Sequence, residues 1–163
     1  MARLAAFAIA ACALALSGCG FQPLYGQAGV TGGLSAVDVI APEGRTGHLI
    51  REHLDDALAS RPGEAKAYRM DLALHEVRYP RGLRVDNVAT RYEYVLTADY
   101  TLRALPSMAP VKNGRARVTL TYDSADQPYA SIAAQQDAQD RAAQEAARRI
   151  QLELAAWFAQ QRG

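Results

Sequence analysis

Cysteine is almost absent from this chain. Only Cys12 and Cys19 occur, both near the start. A domain built from the remainder has no disulfide, no thiolate nucleophile and no cysteine metal ligand. Charge of one sign is missing as well. Lys and Arg number 18 and Asp and Glu 17, so no global basic field points to nucleic acid. The uninterrupted apolar run from Leu4 to Leu16 is too short to span a bilayer. Catalytic signatures are absent: there is no Gly-x-Ser-x-Gly, no His-Glu-x-x-His and no Cys-x-x-Cys. Gly29 to Gly33 is not followed by Gly-Lys-Ser/Thr, which excludes a phosphate loop. His48 and His53 are five apart. On a helix they diverge by about 140° and share no metal. His48 and Glu52 share a face as an ordinary surface pair, and His75 falls on the polar side of a strand. No enzyme activity, metal or cofactor is expected.

What is present begins with an address. Arg3 precedes the apolar run, which has the build of a secretory signal. The run ends in Leu16-Ser17-Gly18-Cys19, with small residues directly before a cysteine. This resembles the bacterial lipobox, in which the thiol is acylated and the chain is cut before it. The expectation is a signal peptide over 1–18 and lipidation at Cys19. Two buried acyl chains already anchor a protein stably, at ~0.8 kcal/mol per methylene. Gly20 stands after the cysteine where Asp would favour retention at the inner membrane, so the outer membrane is the expected address, with the chain on its periplasmic side. Removing Arg3 with the leader leaves 17 basic against 17 acidic residues.

Residues 19–33 are expected to form a lipidated tether. Gly20, Gly26, Gly29, Gly32, Gly33 and Pro23 loosen it, although Phe21, Leu24 and Tyr25 are too apolar for a pure spacer. Residues 34–163 then read as a single domain. Leu34 to Ile40 is a short strand ending at Pro42-Glu43-Gly44. Thr46 is placed to cap a helix over about 47–60, with Ile50, Leu54, Ala57 and Leu58 on one stripe. Tyr68, Met70, Leu72 and Leu74 alternate with polar residues along a strand that Pro80-Arg81-Gly82 is expected to break. Tyr92, Tyr94, Leu96, Ala98, Tyr100 and Leu102 alternate along another, and Ala116, Val118, Leu120 and Tyr122 along the last. Pro106 to Pro110 and Asn113-Gly114 read as the turn between these two.

A long helix over 129–160 follows. Ala142, Ala146, Ile150, Leu154 and Phe158 recur every four residues to give its seam, and Asp137, Asp140 and Glu145 read as its solvated face. The order is β-α-β-β-β-α. The expected fold is α+β, a two-layer sandwich with a four-stranded sheet covered on one face by two helices. The first strand can add at an edge or between two others.

Two surface features remain. Arg78, Arg81, Arg84 and Arg91 gather at a hairpin tip, with Lys112, Arg115 and Arg117 on the neighbouring hairpin. Arginine forks suit phosphate groups, so Arg81, Arg84, Arg91 and Arg115 are the candidate anion contacts. The tyrosines Tyr68, Tyr92, Tyr94, Tyr100 and Tyr122 are placed mostly in the core by their alternation.

Cys19-Gly20-Phe21-Gln22-Pro23-Leu24-Tyr25-Gly26 resembles the mature start of one branch of the LptE lipopolysaccharide-assembly lipoproteins. Thr90-Arg91-Tyr92, Tyr129-Ala130-Ser131 and Gln136-Asp137-Ala138 fit the same family in the same order. The resemblance implies a non-enzymatic lipoprotein that plugs and helps assemble the LptD outer-membrane β-barrel. It also implies a part in delivering lipopolysaccharide to the outer leaflet. Its partners would be that barrel, lipopolysaccharide and the membrane that holds its anchor. A lipoprotein accessory to an inner-membrane transporter is the alternative. The family supplies no motif for lipopolysaccharide contacts, so the four arginines rest on charge and position alone.

Overall fold

The computed structural model describes residues 28–61, 63–83, 89–124 and 127–161. The signal segment 1–18, Cys19, residues 20–27 and Arg84 lie outside the described residues. The elements run α1 (Ala28–Ser35), β1 (Val37–Ile40), α2 (Arg45–Ala57), β2 (Tyr68–Leu83), β3 (Ala89–Ala104), β4 (Ala109–Asp123) and α3 (Pro128–Gln160). The strands form one sheet in the order β1-β2-β3-β4. β1 runs parallel to β2 at the edge, and the other pairs are antiparallel.

Alternation builds the covered face. Tyr94, Leu96, Ala98, Tyr100 and Leu102 of β3 are buried, as are Ala116, Val118 and Tyr122 of β4. They join one core with Ile50 and Leu54 of α2 and with Ala142, Ala146, Ile150, Leu154 and Phe158 of α3. Each leucine- or isoleucine-sized side chain buried here contributes roughly 1.5–3 kcal/mol. Alanines in the middle of α3 let it lie close to the sheet. The α+β two-layer sandwich is the fold, with α1 as an additional helix.

Five local expectations are corrected. Gly29 to Gly33, expected as the far end of a tether, is helical within α1, and Val30 and Leu34 are buried. Three glycines make a poor helix on propensity. Here Gly33 allows close approach, since a Cβ on it would lie 2.8 Å from the Phe158 ring, whereas one on Gly32 would meet nothing within 4 Å. β1 therefore starts at Val37. Secondly, Thr46 does not cap α2. The N-cap is Gly44, and Thr46 is buried inside the first turn beside the Tyr94 hydroxyl. Thirdly, α2 spans Arg45–Ala57, ending before the expected residue 60.

The fourth correction is Pro80, which sits within β2 opposite Tyr92. The Leu105 N–H bonds the Ala67 carbonyl, so odd positions of β2 exchange hydrogen bonds with β3 and even positions turn outward. The missing N–H of Pro80 thus faces the outer edge, where β1 has already ended at the level of Asp71. The fifth is Asn113-Gly114. The turn between β3 and β4 is Leu105 to Met108, and Gly114 lies inside β4, opposite Tyr100.

Candidate functional site

Odd-numbered side chains of β2, β3 and, from Asn113 onward, β4 project from the face that no helix of the described residues covers. The register turns these positions into a lattice of ion pairs, all but Arg69–Asp71 reaching across strands. Arg91 and Asp123 are register partners, with Nε to Oδ1 at 2.7 Å. Arg81 lies opposite Arg91 and reaches diagonally to Glu93 at 3.3 Å. Asp71 receives Arg69 at 2.8 Å and Arg103 at 3.2 Å on its two oxygens. Arg115 faces and pairs with Asp99. Exposed pairs of this kind contribute little to stability, but they leave the face close to neutral.

The β2–β3 tip brings two of the four candidate arginines together. Arg81 and Arg91 line an open cleft with Gly82, Thr90 and Asp123. Thr90 Oγ1 donates to the Gly82 carbonyl at 2.6 Å and ties the two strands there. The Arg81 guanidinium lies 5.8 Å from the Tyr79 ring centre. Arg91 has its pKa raised, first by its hydrogen bond to Asp123 and then by that carboxylate's charge. Its charge is permanent, and its outer N–H groups remain available to an anion that competes with the carboxylates.

The other cations are elsewhere. Arg115 stands across from Asp99, eight residues along β3 from Arg91, about 26 Å away. Its pKa is raised by Asp99 through a hydrogen bond first and charge second. Arg78 projects from the helix-covered side and donates to Gln135 at 2.6 Å. Lys112 pairs with Glu153 of α3 at 2.7 Å. Arg117 is exposed six residues along β3 from the tip, opposite Thr97. Of the seven cations expected as one cluster, the six among the described residues are therefore spread over two faces and two ends.

Sequence reasoning missed the apolar component of the tip. Tyr129 is 88% exposed and Ile132 53% at the start of α3, and Tyr79 is exposed on β2. The signal was available, since Tyr129 and Ile132 fall outside the four-residue seam that begins at Ala142. Ser124 and Ser131 hydroxyls, 3.0 Å apart, fasten this end of α3 to the end of β4.

The histidines behave mostly as read. His48 and Glu52 form a loose exposed pair at 3.8 Å, and His75 is exposed on the uncovered face. His53 differs. Its Nε2 meets Asp140 Oδ1 at 2.8 Å and clasps α2 to α3, so Asp140 is not simply part of a solvated face. A cleft between these helices is lined by His53, Asp56, Glu145 and Arg148 among others. Among the described residues no three His, Cys, Asp or Glu side chains are grouped to hold a metal ion. No helix of the described residues is long and apolar enough to cross a membrane.

Comparison with known proteins adds to this geometry. The family model described as LptE: Lipopolysaccharide-assembly matches residues 34–154. A crystal structure from Caulobacter crescentus CB15, described as a lipoprotein, is 55% identical with a TM-score of 0.72. The match covers 82% of this chain and 98% of that one. The rare lipoprotein B of Shewanella oneidensis has the same fold at 14% identity and TM-score 0.58, covering 78% of this chain and 97% of that one. Lipoprotein B of Nitrosomonas europaea does so at 16% identity and TM-score 0.57, covering 76% and 83%. No curated protein matches the chain.

Proposed function

The chain belongs to the LptE lipopolysaccharide-assembly family, and from that premise we propose that it is a non-catalytic outer-membrane lipoprotein. In this reading residues 1–18 are removed and Cys19 is acylated. The domain sits as a plug inside an LptD-type β-barrel and takes part in delivering lipopolysaccharide to the outer leaflet. The observation that carries the reading is the family match across both layers of the sandwich, joined to the lipobox Leu16-Ser17-Gly18-Cys19 ahead of it.

The geometry supports it in two ways. The lumen of a large barrel is polar. A sheet face whose arginines, Arg117 apart, are already paired with carboxylates can fill such a lumen without carrying a strong net field into it. The molecule is also polarised along its length. α1, nearest in sequence to Cys19, packs at the C-terminal end of α3, where Gly33 meets Phe158. The Arg81–Arg91 tip and the exposed Tyr129 lie at the other end. α3 has 33 residues, so these ends are about 50 Å apart. α1 therefore lies at one end and the arginine tip at the other. Arg81 and Arg91, with Arg84 between them in the sequence, are the proposed contacts for lipid A phosphates. Arg115 lies too far away to share one headgroup with them.

Photo-crosslinkers at Thr97 and Thr119, on the uncovered face, test the reading in intact cells. Capture of one large outer-membrane barrel is expected from both positions. Capture of inner-membrane transporter subunits, with the chain fractionating at the inner membrane, would favour the accessory-lipoprotein alternative and overturn the plug.

A further inference from the structure

β4 is an outer edge of the sheet and runs for 15 residues. Long open edges are templates for pairing with another strand. Directly after β4 the Ser124 N–H bonds the Thr90 carbonyl. By alternation, even positions of β4 bond to β3, and Arg115, Arg117, Thr119 and Thr121 turn their N–H and C=O groups outward. One of those outward carbonyls is occupied. Arg149 of α3 donates from Nη1 to the Arg117 oxygen at 2.7 Å. Arg149 is itself held by Glu145, with Nε to Oε1 at 2.7 Å. One turn further along, Glu153 grips Lys112 of β4 at 2.7 Å. Glu145, Arg149 and Glu153 are four residues apart and form one stripe of α3 along this edge.

We propose that Arg149 is an edge guard, which by capping the Arg117 carbonyl keeps β4 closed to strand addition by a second copy of this chain. The second copy is the occupant that fits. Two copies related by a two-fold axis pair antiparallel. Centred on Val118, such a pairing sets Arg117 opposite Thr119 of the second copy and Arg115 opposite Thr121. The outward-turned positions then meet each other, and no like charges are opposed. Centring on Arg117 would oppose two arginines, so the first register is the one to expect. While Arg149 holds the middle carbonyl, that ladder cannot close.

The test uses the full chain purified in detergent, with mass read by light scattering and the detergent contribution subtracted. The parent chain is expected to be monomeric. Arg149→Ala should show twofold the protein mass with an unchanged circular dichroism spectrum, and Arg149→Lys, which keeps a donor, should remain monomeric. Thr119→Pro added to Arg149→Ala should restore the monomer, because the Thr119 N–H faces outward and its loss leaves the β3 ladder intact. Should Arg149→Ala not fold, Glu145→Ala frees the guanidinium from its holder and should associate more than the parent. A dimeric parent, a monomeric folded Arg149→Ala, a dimer that survives Thr119→Pro, or a monomeric Glu145→Ala would each overturn the proposal.

Discussion

Gly114 lies directly across from Tyr100, and the tyrosine ring occupies the space that any larger residue at 114 would need. A Cβ built there would come within 2.6 Å of ring carbons and of the hydroxyl. The Tyr100 hydroxyl is buried with no hydrogen-bond partner among the described residues. Lys112 Nζ stands 5.9 Å from the ring centre and completes the enclosure.

This relationship predicts opposite outcomes for two small changes. Gly114→Ala overpacks the site and should cost about 1–3 kcal/mol in urea unfolding. Tyr100→Phe removes a buried hydroxyl that has no well-formed hydrogen bond among the described residues and lies near the Glu153 carboxylate, and should leave stability unchanged or raise it by up to about 1 kcal/mol. A neutral Gly114→Ala would show that the ring is not fixed against the glycine.

Alkaline pH gives a second prediction. Burial raises the pKa of Tyr94, and its hydrogen bond to Glu76 adds to the shift. Burial likewise raises Tyr100, with the Glu153 charge next. Both folded values lie above the ordinary 10.0. The folded chain therefore holds these protons more tightly than the unfolded chain. Their contribution is complete below pH 10 and is lost as pH rises above it. Denaturant unfolding at pH 8 and pH 11 should show the parent losing more stability than Tyr94→Phe combined with Tyr100→Phe. Equal losses would contradict the assignment.

The parity of β2 supplies a third. Pro80 costs no ladder bond, so Pro80→Ala should change stability by no more than about 0.5 kcal/mol. Ala73 is equally exposed, but it lies at an odd position opposite Asp99. Ala73→Pro removes a hydrogen bond to β3 and should cost about 1–3 kcal/mol. Equal effects from the two changes would mean that the register is misread.

The same parity shows where sequence reasoning stopped. The strands were legible because their apolar residues alternate from Tyr92 to Leu102, with Val95 the exception on the other face, and α3 because its seam repeats every four residues from Ala142. Pro80 was read as a breaker because the direction of its missing N–H depends on pairing with β3, which no local window contains. Asn113-Gly114 has the composition of a turn, and only Tyr100 across the sheet explains the glycine. α1 was read as tether because its glycines speak against a helix until Phe158 is placed beside them. At the candidate site, arginine positions were readable and their partners were not. The carboxylates Asp123, Asp99 and Glu93 are distant from them in sequence and reach them only through the register.

For the tip, Arg81→Glu combined with Arg91→Glu should weaken binding of purified protein to lipopolysaccharide by about tenfold or more, since charge-assisted contacts to phosphate are lost and repulsion replaces them. Arg115→Glu, about 26 Å away, should bind as the parent does. Circular dichroism should be unchanged in both, because these side chains are exposed. Equal binding by all three proteins would remove the tip as the contact.

The central claim is that this lipoprotein is the seated partner of an outer-membrane barrel, and co-purification tests it most directly. The full chain, carrying an affinity tag at its C-terminus, is recovered from detergent-solubilised outer membranes at native expression. The account predicts a single large β-barrel protein in equimolar amount, retained through size exclusion. Recovery of the chain alone from the outer membrane, with normal surface lipopolysaccharide after its depletion, would contradict it.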